Sequence, residues 1–271
     1  MTIGSQVFAA HQLPQGFAEK LDTPRVPPAE PQPAATLALL RKGGSGLEIL
    51  LLRRSQATRF IPGAWVFPGG RLDREDGGSG VGTRMRGLAE GGSPGAAFYS
   101  AAFRETFEET GILLHALPRA AGPGRITAGE SGNDARLRVQ QGDLGFGDFL
   151  ENMGVDLNAG ALAYVGHWVT PETEPIRFDT RFFATEIPTE CPVYPDGAEL
   201  EDAVWLSPDE ALARNKEGDL PMAFPTLVTL AELRDFDSPS VALQALGNRP
   251  IPRLVPRLVR EAGGIRFLLG E

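Results

Sequence analysis

The segment from Ala101 to Ile112 places three carboxylates on one side of a single predicted helix. Glu105, Glu108 and Glu109 are neighbours at spacings of three and four residues, and each like-charge pair of this kind costs roughly a few tenths of a kcal/mol. Gly111 predicts the end of the helix, so two of the acids fall in its last turn, where the helix dipole disfavours anions. The cluster therefore favours a bound cation, and hard divalent cations such as Mg²⁺ prefer carboxylate oxygens.

A purely structural interpretation of this segment is also open. Arg104 stands one helical turn before Glu108, so the two side chains can pair on an exposed acidic helix end that binds nothing. The choice between the two interpretations depends on the residues upstream.

The composition of the chain excludes several classes of protein. A net charge of −9 over 271 residues argues against binding to polymeric nucleic acid, which requires clustered Lys and Arg. The single cysteine, Cys191, excludes an internal disulfide framework. No stretch approaches the ~18 consecutive apolar residues of a membrane span, and the N-terminus lacks a basic start followed by an apolar run. We therefore expect a soluble intracellular protein with neither nucleic acid polymers nor membranes as partners.

The chain divides into an N-terminal arm and one larger domain. Residues 1–34 contain six prolines and few large apolar residues, which predicts an extended arm, and residues 35–271 predict a single domain. Within the domain, residues 77–95 predict a glycine-rich surface loop, 116–142 further loop, and 207–271 a mainly helical C-terminal part. Strands are predicted at 35–41, 47–54, 161–169, 181–187 and 204–206, and helices at 95–110, 146–153, from Ser207, at 225–236 and at 238–246. These elements alternate without a regular βαβ repeat, which favours an α+β fold with a mixed sheet.

Two separated parts of the sequence resemble the Nudix box, whose signature is Gly-x5-Glu-x7-Arg-Glu-U-x-Glu-Glu-x-Gly-U with U an apolar residue. The positions that match it are Gly70, Arg104, Glu105, Glu108, Glu109, Gly111 and Ile112. The sequence departs from the signature at three points. Asp76 stands where the first glutamate belongs, Thr106 replaces an apolar residue, and 27 residues instead of seven separate Asp76 from Arg104. The extra residues form the 77–95 loop, where a change of length is well tolerated.

The segment just upstream is similar to the one that accompanies the Nudix box in coenzyme A pyrophosphatases, Leu-Leu-Thr-x-Arg-Ser-x3-Arg-x3-Gly-x3-Phe-Pro-Gly-Gly. Residues 50–70 follow this pattern, and only Leu52, in place of threonine, departs from it. The long insertion and residues 170–183 further resemble the mammalian peroxisomal nineteenth-type Nudix hydrolases, which hydrolyse CoA and acyl-CoA esters. The chain ends in Leu-Leu-Gly-Glu271 and not in a Ser-Lys-Leu-like peroxisomal address, so we expect a cytoplasmic location.

The resemblance implies a Nudix fold, in which a mixed β-sheet lies between helices, and hydrolysis of a diphosphate bridge with the help of Mg²⁺ or Mn²⁺. For CoA or acyl-CoA, the products are 3′,5′-ADP and an (acyl-)4′-phosphopantetheine. It further implies that Glu105, Glu108, Glu109 and the carbonyl of Gly70 bind the metal, with Glu105 acting either as a ligand or as the base.

The remaining implied roles concern the arginines and the paired glycines. Arg104 either positions one of the glutamates or only stabilises the helix. Arg54 and Arg59 are candidates for binding the other phosphates of the substrate. Gly69 and Gly70 let the backbone approach the phosphates, because they have no Cβ.

Several alternatives remain open on the sequence alone. The substrate can instead be another nucleoside diphosphate derivative, such as NADH, ADP-ribose or a sugar nucleotide, and a non-catalytic nucleotide-binding regulator is a third hypothesis. The roles of Asp73 and Asp76 are open, and Glu199 and Glu201 are better explained as solvated charges than as catalytic groups. The oligomeric state, including a homodimer, is open too, as is whether the 77–95 loop covers the site.

Overall fold

The structure is a computed structural model that describes residues 6–17, 27–44, 46–88, 94–115, 124–127 and 130–269. The predictions for residues 1–5 and 18–26 of the arm, for 89–93 of the insertion, and for 116–123 and 128–129 of the segment predicted as further loop therefore lie outside the described residues. Within the described ranges the strands are β1 (Val7–Phe8), β2 (Gln32–Gly43), β3 (Gly46–Arg54), β4 (Trp65–Val66), β5 (Gly69–Arg71), β6 (Met85–Arg86), β7 (Ile112–His115), β8 (Gly124–Thr127), β9 (Leu157–Asn158), β10 (Ala163–Val169), β11 (Phe178–Glu186), β12 (Leu200–Leu206), β13 (Arg253–Leu254), β14 (Arg257–Glu261) and β15 (Gly264–Leu268). The helices are α1 (Ser79–Thr83), α2 (Ala96–Thr110), α3 (Glu130–Gln140), α4 (Phe146–Met153), α5 (Pro208–Glu217), α6 (Phe224–Leu233) and α7 (Pro239–Gly247).

A mixed sheet forms the centre of the molecule. Its strand order is β12-β3-β2-β11-β10-β13, and the short strands β4 and β5 pair with β3 and β2. β2 runs parallel to β11 and antiparallel to β3 and β5. Away from their hairpin turn, β2 and β3 no longer pair with each other, because β5 pairs with β2 and β4 pairs with β3. The two strands therefore separate at the end of the sheet away from the turn, where the candidate site lies.

Both faces of the sheet are covered, which explains why β2 and β3 are apolar almost without interruption. Leu37 and Leu39 pack with α2 and α4 on one face, whereas Ala38 and Leu40 pack with α5, α6 and α7 on the other. The α+β prediction of a mixed sheet between helices is confirmed. Within the described ranges, no helix has both the length and the apolarity needed to cross a bilayer.

The N-terminal segment differs from the expected extended arm over residues 6–17. β1 pairs with β15, and the backbone N–H of Met222 donates to the carbonyl oxygen of Gln12 at 3.1 Å. The Asn215 amide donates to the same oxygen at 2.7 Å. Proline content predicts the local chain, but it does not reveal that Val7 and Phe8 find a partner strand more than 250 residues away. The helical C-terminal part is likewise followed by strands β13 to β15, which the sequence pattern did not predict.

Two segments that were predicted as loop contain packed elements. In the 77–95 insertion, α1 and β6 bury Val81 and Met85, and β6 pairs in parallel with β9. In the 116–142 segment, α3 packs against α2 and α4. Low hydropathy and many glycines conceal these elements, because only one or two apolar residues anchor each.

Candidate active site

Helix α2 carries the acidic cluster on a buried face. Its C-terminus is capped by Gly111, which has a left-handed conformation with φ of 72° and donates its N–H to the carbonyl oxygen of Phe107 at 2.9 Å. Glu108 and Glu109 are only 8% and 5% exposed, and the Glu105 side chain is 14% exposed. This burial excludes the alternative of an exposed acidic helix end.

Arg104 lies at the centre of a network of oxygen acceptors. Its Nη2 atom donates to Asp76 Oδ2 at 2.8 Å and to the carbonyl oxygen of Arg71 at 2.9 Å. Its Nη1 atom donates to Glu105 Oε1 at 3.0 Å and to Glu108 Oε2 at 3.3 Å. Burial alone would lower the pKa of the Arg104 guanidinium, but the neighbouring carboxylates together raise it, so the side chain remains charged. Arg104 thus holds the side chains of Glu105 and Glu108 and contacts Arg71 and Asp76, which precede the 77–95 insertion.

Asp76 and Asp73, whose roles the sequence leaves open, differ sharply in environment. Asp76 is 4% exposed and accepts hydrogen bonds from Ser100 Oγ at 2.7 Å and from the Asp73 N–H at 2.8 Å, besides those from Arg104. The Asp73 side chain is 66% exposed and lies 3.7 Å from Arg104. Asp76 is a buried structural partner of Arg104, and Asp73 lies at the rim.

The paired glycines bring backbone directly against the glutamates. The Gly69 N–H donates to Glu109 Oε2 at 2.7 Å, and β5 places Gly70 opposite Ala35 of β2. A Cβ at Gly69, where φ is 155°, would overlap the Ala35 carbonyl oxygen, and a Cβ at Gly70 would overlap the Glu105 carboxylate. Gly69 therefore requires glycine, because the backbone of β2 leaves no space for a Cβ, whereas a Cβ at Gly70 would displace the flexible end of the Glu105 side chain.

The pKa values of the three cluster carboxyl groups are all raised. Burial raises the pKa of Glu105 to about 8 even though Arg104 opposes the shift. Burial also raises the pKa of Glu108, and it raises that of Glu109 well above its usual range. Carboxylate oxygens suit a hard divalent cation in chemical type.

The donors are not assembled around a common point. Among the described residues, no group of three or more Asp, Glu, His or Cys side chains is arranged to hold an ion. Glu105 and Glu108 face Arg104 and Glu109 faces the Gly69 N–H, so a cation must compete with these contacts. The residues thus fit a divalent cation by type but need side-chain rotation to surround it.

The cluster lies in the wall of a cavity of about 460 Å³. Arg54 also lines this cavity, where its Nε donates to the carbonyl oxygen of Phe60 at 3.1 Å and its Nη2 lies 3.7 Å from Glu199 Oε2. Arg59 is exposed and is not among the lining residues. The structure therefore brings Arg54 to the cluster and leaves Arg59 outside the cavity.

Glu199, just before β12, and Glu201, within β12, contribute unequally to the site. Glu199 lines the cavity with a side chain that is 63% exposed. Glu201 is held away by a hydrogen bond from Ser55 Oγ at 2.7 Å and by an ion pair with Arg53 at 3.7 Å. None of the described residues of the 77–95 insertion lines the cavity.

Sequence reasoning missed two charged residues beside the cluster. Arg136 of α3, 6% exposed, donates its Nε to the carbonyl oxygen of Glu108 at 2.7 Å, and its Nη2 is buried without a hydrogen-bond partner in the described structure. Burial lowers the pKa of Arg136, while Asp196, Glu109 and Glu108 oppose that shift. Asp196 lines the cavity. One of its oxygens, Oδ1, accepts backbone N–H groups, and its Oδ2 is buried and unpartnered. No motif marks either residue, because each reaches the site from a segment read as loop.

Known proteins have sequences and a fold similar to those of this chain. The family model described as NUDT19 Nudix domain matches residues 88–233, and the one described as NUDIX domain matches residues 30–136. The chain is 32% identical over 241 residues to the acyl-coenzyme A diphosphatase NUDT19 of Gallus gallus, covering 72% of this chain and 63% of that protein. It is 30% identical over 286 residues to the protein of the same name from Homo sapiens, covering 90% of this chain and 73% of that one.

A solved structure supports the fold as well. The crystal structure of a NUDIX hydrolase from Alicyclobacillus acidocaldarius superposes with a TM-score of 0.73 at 31% identity, covering 82% of this chain and 99% of that one. The chain spans just under two thirds of the length of the chicken relative. Because the family model covers more than half of the sequence, the chain belongs to the NUDT19 Nudix domain family.

Proposed function

We propose that this protein is a metal-dependent Nudix hydrolase that cleaves the diphosphate bridge of CoA or acyl-CoA into 3′,5′-ADP and an (acyl-)4′-phosphopantetheine. The observation that carries the proposal is the convergence of the buried carboxylates of Glu108 and Glu109 and the largely buried one of Glu105 with Gly69 and Gly70 in the wall of one cavity. One arginine, Arg104, pairs with two of these three acids, so a bound cation would offset negative charge that remains when all three ionise. The names of the chicken and human relatives supply the substrate class.

Glu105, Glu108, Glu109 and the Gly70 carbonyl would hold Mg²⁺ or Mn²⁺. Such an ion, when bound, supplies the charge neutralisation and water activation that attack on a diphosphate needs. Arg104 holds Glu105 and Glu108 by charge-assisted hydrogen bonds and thereby limits the orientations that they can adopt. Glu105 keeps a proton near neutral pH in the absence of metal, so it has the chemistry of a group that exchanges a proton with water as well as of a ligand.

The two candidate substrate arginines would act at different depths. Arg54 presents a partly buried guanidinium to the cavity, where it can meet the phosphate oxygens of the bridge. Arg59 is exposed and precedes Phe60, which lines the cavity, so it would meet a phosphate that projects out of the opening, such as the 3′-phosphate of CoA. Gly69 and Gly70 line the cavity without side chains, so a diphosphate would contact their backbone directly.

The test is a hydrolysis panel of CoA, acyl-CoA, NADH, ADP-ribose and sugar nucleotides, with Mg²⁺ or Mn²⁺ and with EDTA. We expect metal-dependent release of 3′,5′-ADP from CoA species. Glu109→Gln should lower kcat/KM by at least about 100-fold, because loss of the partners that only orient metal ligands already costs 10–100-fold. Glu201→Gln is the matched control, since Glu201 pairs with Ser55 and Arg53 away from the cluster.

The outcomes separate the hypotheses. Full turnover by a folded Glu109→Gln variant would show that the metal site is wrong. Turnover of NADH, ADP-ribose or a sugar nucleotide in place of CoA would retain the chemistry and reject the substrate. Tight nucleotide binding without turnover by the unaltered protein would establish the regulator hypothesis.

A further inference from the structure

The cavity does not end at the carboxylates but continues into a space walled mainly by apolar side chains. We call this space the apolar chamber and define it by Phe17, Trp168, Ala223, Phe224 and Phe267, all of which line the cavity. The four aromatic residues belong to the face of the sheet that packs with α5, α6 and α7, and Ala223 directly precedes α6, whereas the glutamates come from α2 on the other face. The cavity therefore joins a charged region and an apolar one.

The walls of the chamber form one interlocking group of aromatic rings. The rings of Phe224 and Phe267 stack with centroids 4.1 Å apart, and Phe17 lies 5.8 Å from Phe267. Trp168 meets Phe224 edge to face at 5.8 Å. Phe17 comes from the N-terminal segment and Phe267 from β15, both outside the ranges that the family models match. Segments outside these matched ranges thus complete this part of the cavity.

The charges that line the cavity are distributed unevenly. Its lining cations are Arg54, Arg71 and Arg104, and these accompany the carboxylates and the paired glycines. No basic side chain is among the lining residues that come from the N-terminal segment, β10, α6 or the C-terminal strands. A ligand with phosphates at one end and an aliphatic chain at the other therefore fits in one orientation, with its phosphates at Arg54 and its chain in the chamber.

The geometry points to the apolar chamber as the binding site for the acyl chain of a thioester-linked CoA substrate. This inference rests on the proposed function and deepens it, because it locates the part of the site that distinguishes acyl-CoA from free CoA. It also assigns chain-length selectivity to the chamber walls, and so in part to the N-terminal segment and β15.

The experiment measures kcat/KM for free CoA and for saturated acyl-CoA esters from two to sixteen carbons. A buried methylene contributes about 0.8 kcal/mol, which corresponds to roughly a fourfold gain per methylene as an upper limit, until the chamber is filled. Ala223→Phe should then bring the plateau to shorter chains and lower the ratio of long-chain to short-chain kcat/KM by about tenfold or more. Ala223 precedes α6 in an extended conformation, with φ −69° and ψ 149°, that a phenylalanine can adopt.

Ala213→Phe is the matched control, because Ala213 is exposed on α5 and does not line the cavity. It should leave the ratio unchanged. Ala223→Leu should give a smaller shift in the same direction and keeps the test valid if the phenylalanine variant does not fold. Hydrolysis of free CoA and all esters with equal kcat/KM, or a ratio that ignores both Ala223 variants, would overturn the chamber assignment while the proposed function stands. Absence of hydrolysis of every CoA species would overturn both.

Discussion

Replacing Asp76 by asparagine should destabilise the protein far more than its place in a glycine-rich loop suggests. The substitution keeps the size of the side chain and removes its charge. It leaves Ser100 Oγ with an acceptor but turns an amide or a neutral oxygen towards Arg104, whose guanidinium stays buried. The cost arises from a buried charge that loses its closest counter-ion.

The magnitude follows from what Arg104 retains. Breaking a buried ion pair typically costs about 3–5 kcal/mol. Arg104 still donates to the carbonyl oxygen of Arg71 and to Glu105 and Glu108, so we expect the lower end, about 3 kcal/mol. For a chain of this size, that loss corresponds to a decrease in Tm of roughly 6–12 °C.

Urea unfolding and thermal unfolding, each followed by circular dichroism, measure the effect. Asp73→Asn is the matched control, because it removes the same charge from the same loop beside the same arginine, but its side chain is 66% exposed. An exposed pair contributes less than about 1 kcal/mol, so Tm should fall by less than about 4 °C. If the two variants lose equal stability, or if Asp73→Asn loses more, the assignment of Asp76 as the buried partner is refuted.

Three further predictions concern the site itself. Gly69→Ala should lower Tm, because its Cβ meets the backbone of β2, whereas Gly70→Ala should mainly lower kcat, because its Cβ displaces the Glu105 carboxylate. Thermal unfolding and steady-state kinetics of the two variants test this prediction. Equal effects of the two substitutions on Tm and on kcat would contradict it. The pKa of Glu105 is raised to about 8 from a usual 4.5, so between these two pH values the folded protein holds a proton that the unfolded chain releases. Stability without metal should therefore fall as the pH rises from about 4.5 to about 8. Since a metal must displace that proton, the increase in Tm caused by Mg²⁺ should grow from about pH 6 to about pH 9, and a constant increase would argue against Glu105 as a ligand. Arg136→Met removes the donor to the Glu108 carbonyl oxygen and a buried cation beside the acids. We expect kcat/KM to fall by about tenfold, while the Tm without metal changes little. Unaltered kinetics would show that Arg136 plays no part in positioning the cluster.

Local pattern predicted the parts of the site that one segment supplies. The period of α2 and the position of Gly111 were sufficient to place three acids on one helical face. The approach of the glycine backbone to substrate phosphates stays a prediction, and the contacts of Gly69 and Gly70 with Glu109 and Glu105 were not predicted. The paired strands β2 and β3 followed from two apolar runs joined by a glycine turn. In each case the signal and the structure extend over the same few residues.

Residues that reach the site from distant segments could not be predicted in this way. Arg136 lies on a helix of low hydropathy, and its importance depends on its desolvation beside Glu108, which no spacing encodes. Phe17 lines the cavity only because β1 pairs with β15 and holds the preceding segment against the C-terminal strands. Such contacts are set by tertiary packing, so a single sequence without periodicity at these positions leaves them undetermined.

The divided Nudix box illustrates why an insertion at this point does not disrupt the site. Extending the loop between Asp76 and Arg104 from seven to 27 residues adds a closure cost of about 1.2 kcal/mol, since the cost rises only with the logarithm of length. Breaking the ion pair that joins the ends of this loop would cost about 3 kcal/mol by the reasoning above, because Arg104 would stay buried without its closest counter-ion. Ser100 adds a further hydrogen bond to Asp76. Burial of Val81 and Met85 by the insertion itself offsets part of the remaining cost. The geometry of the acidic cluster thus depends on the contact that closes the loop and not on the number of residues within it, which is why the spacing can change while the site persists.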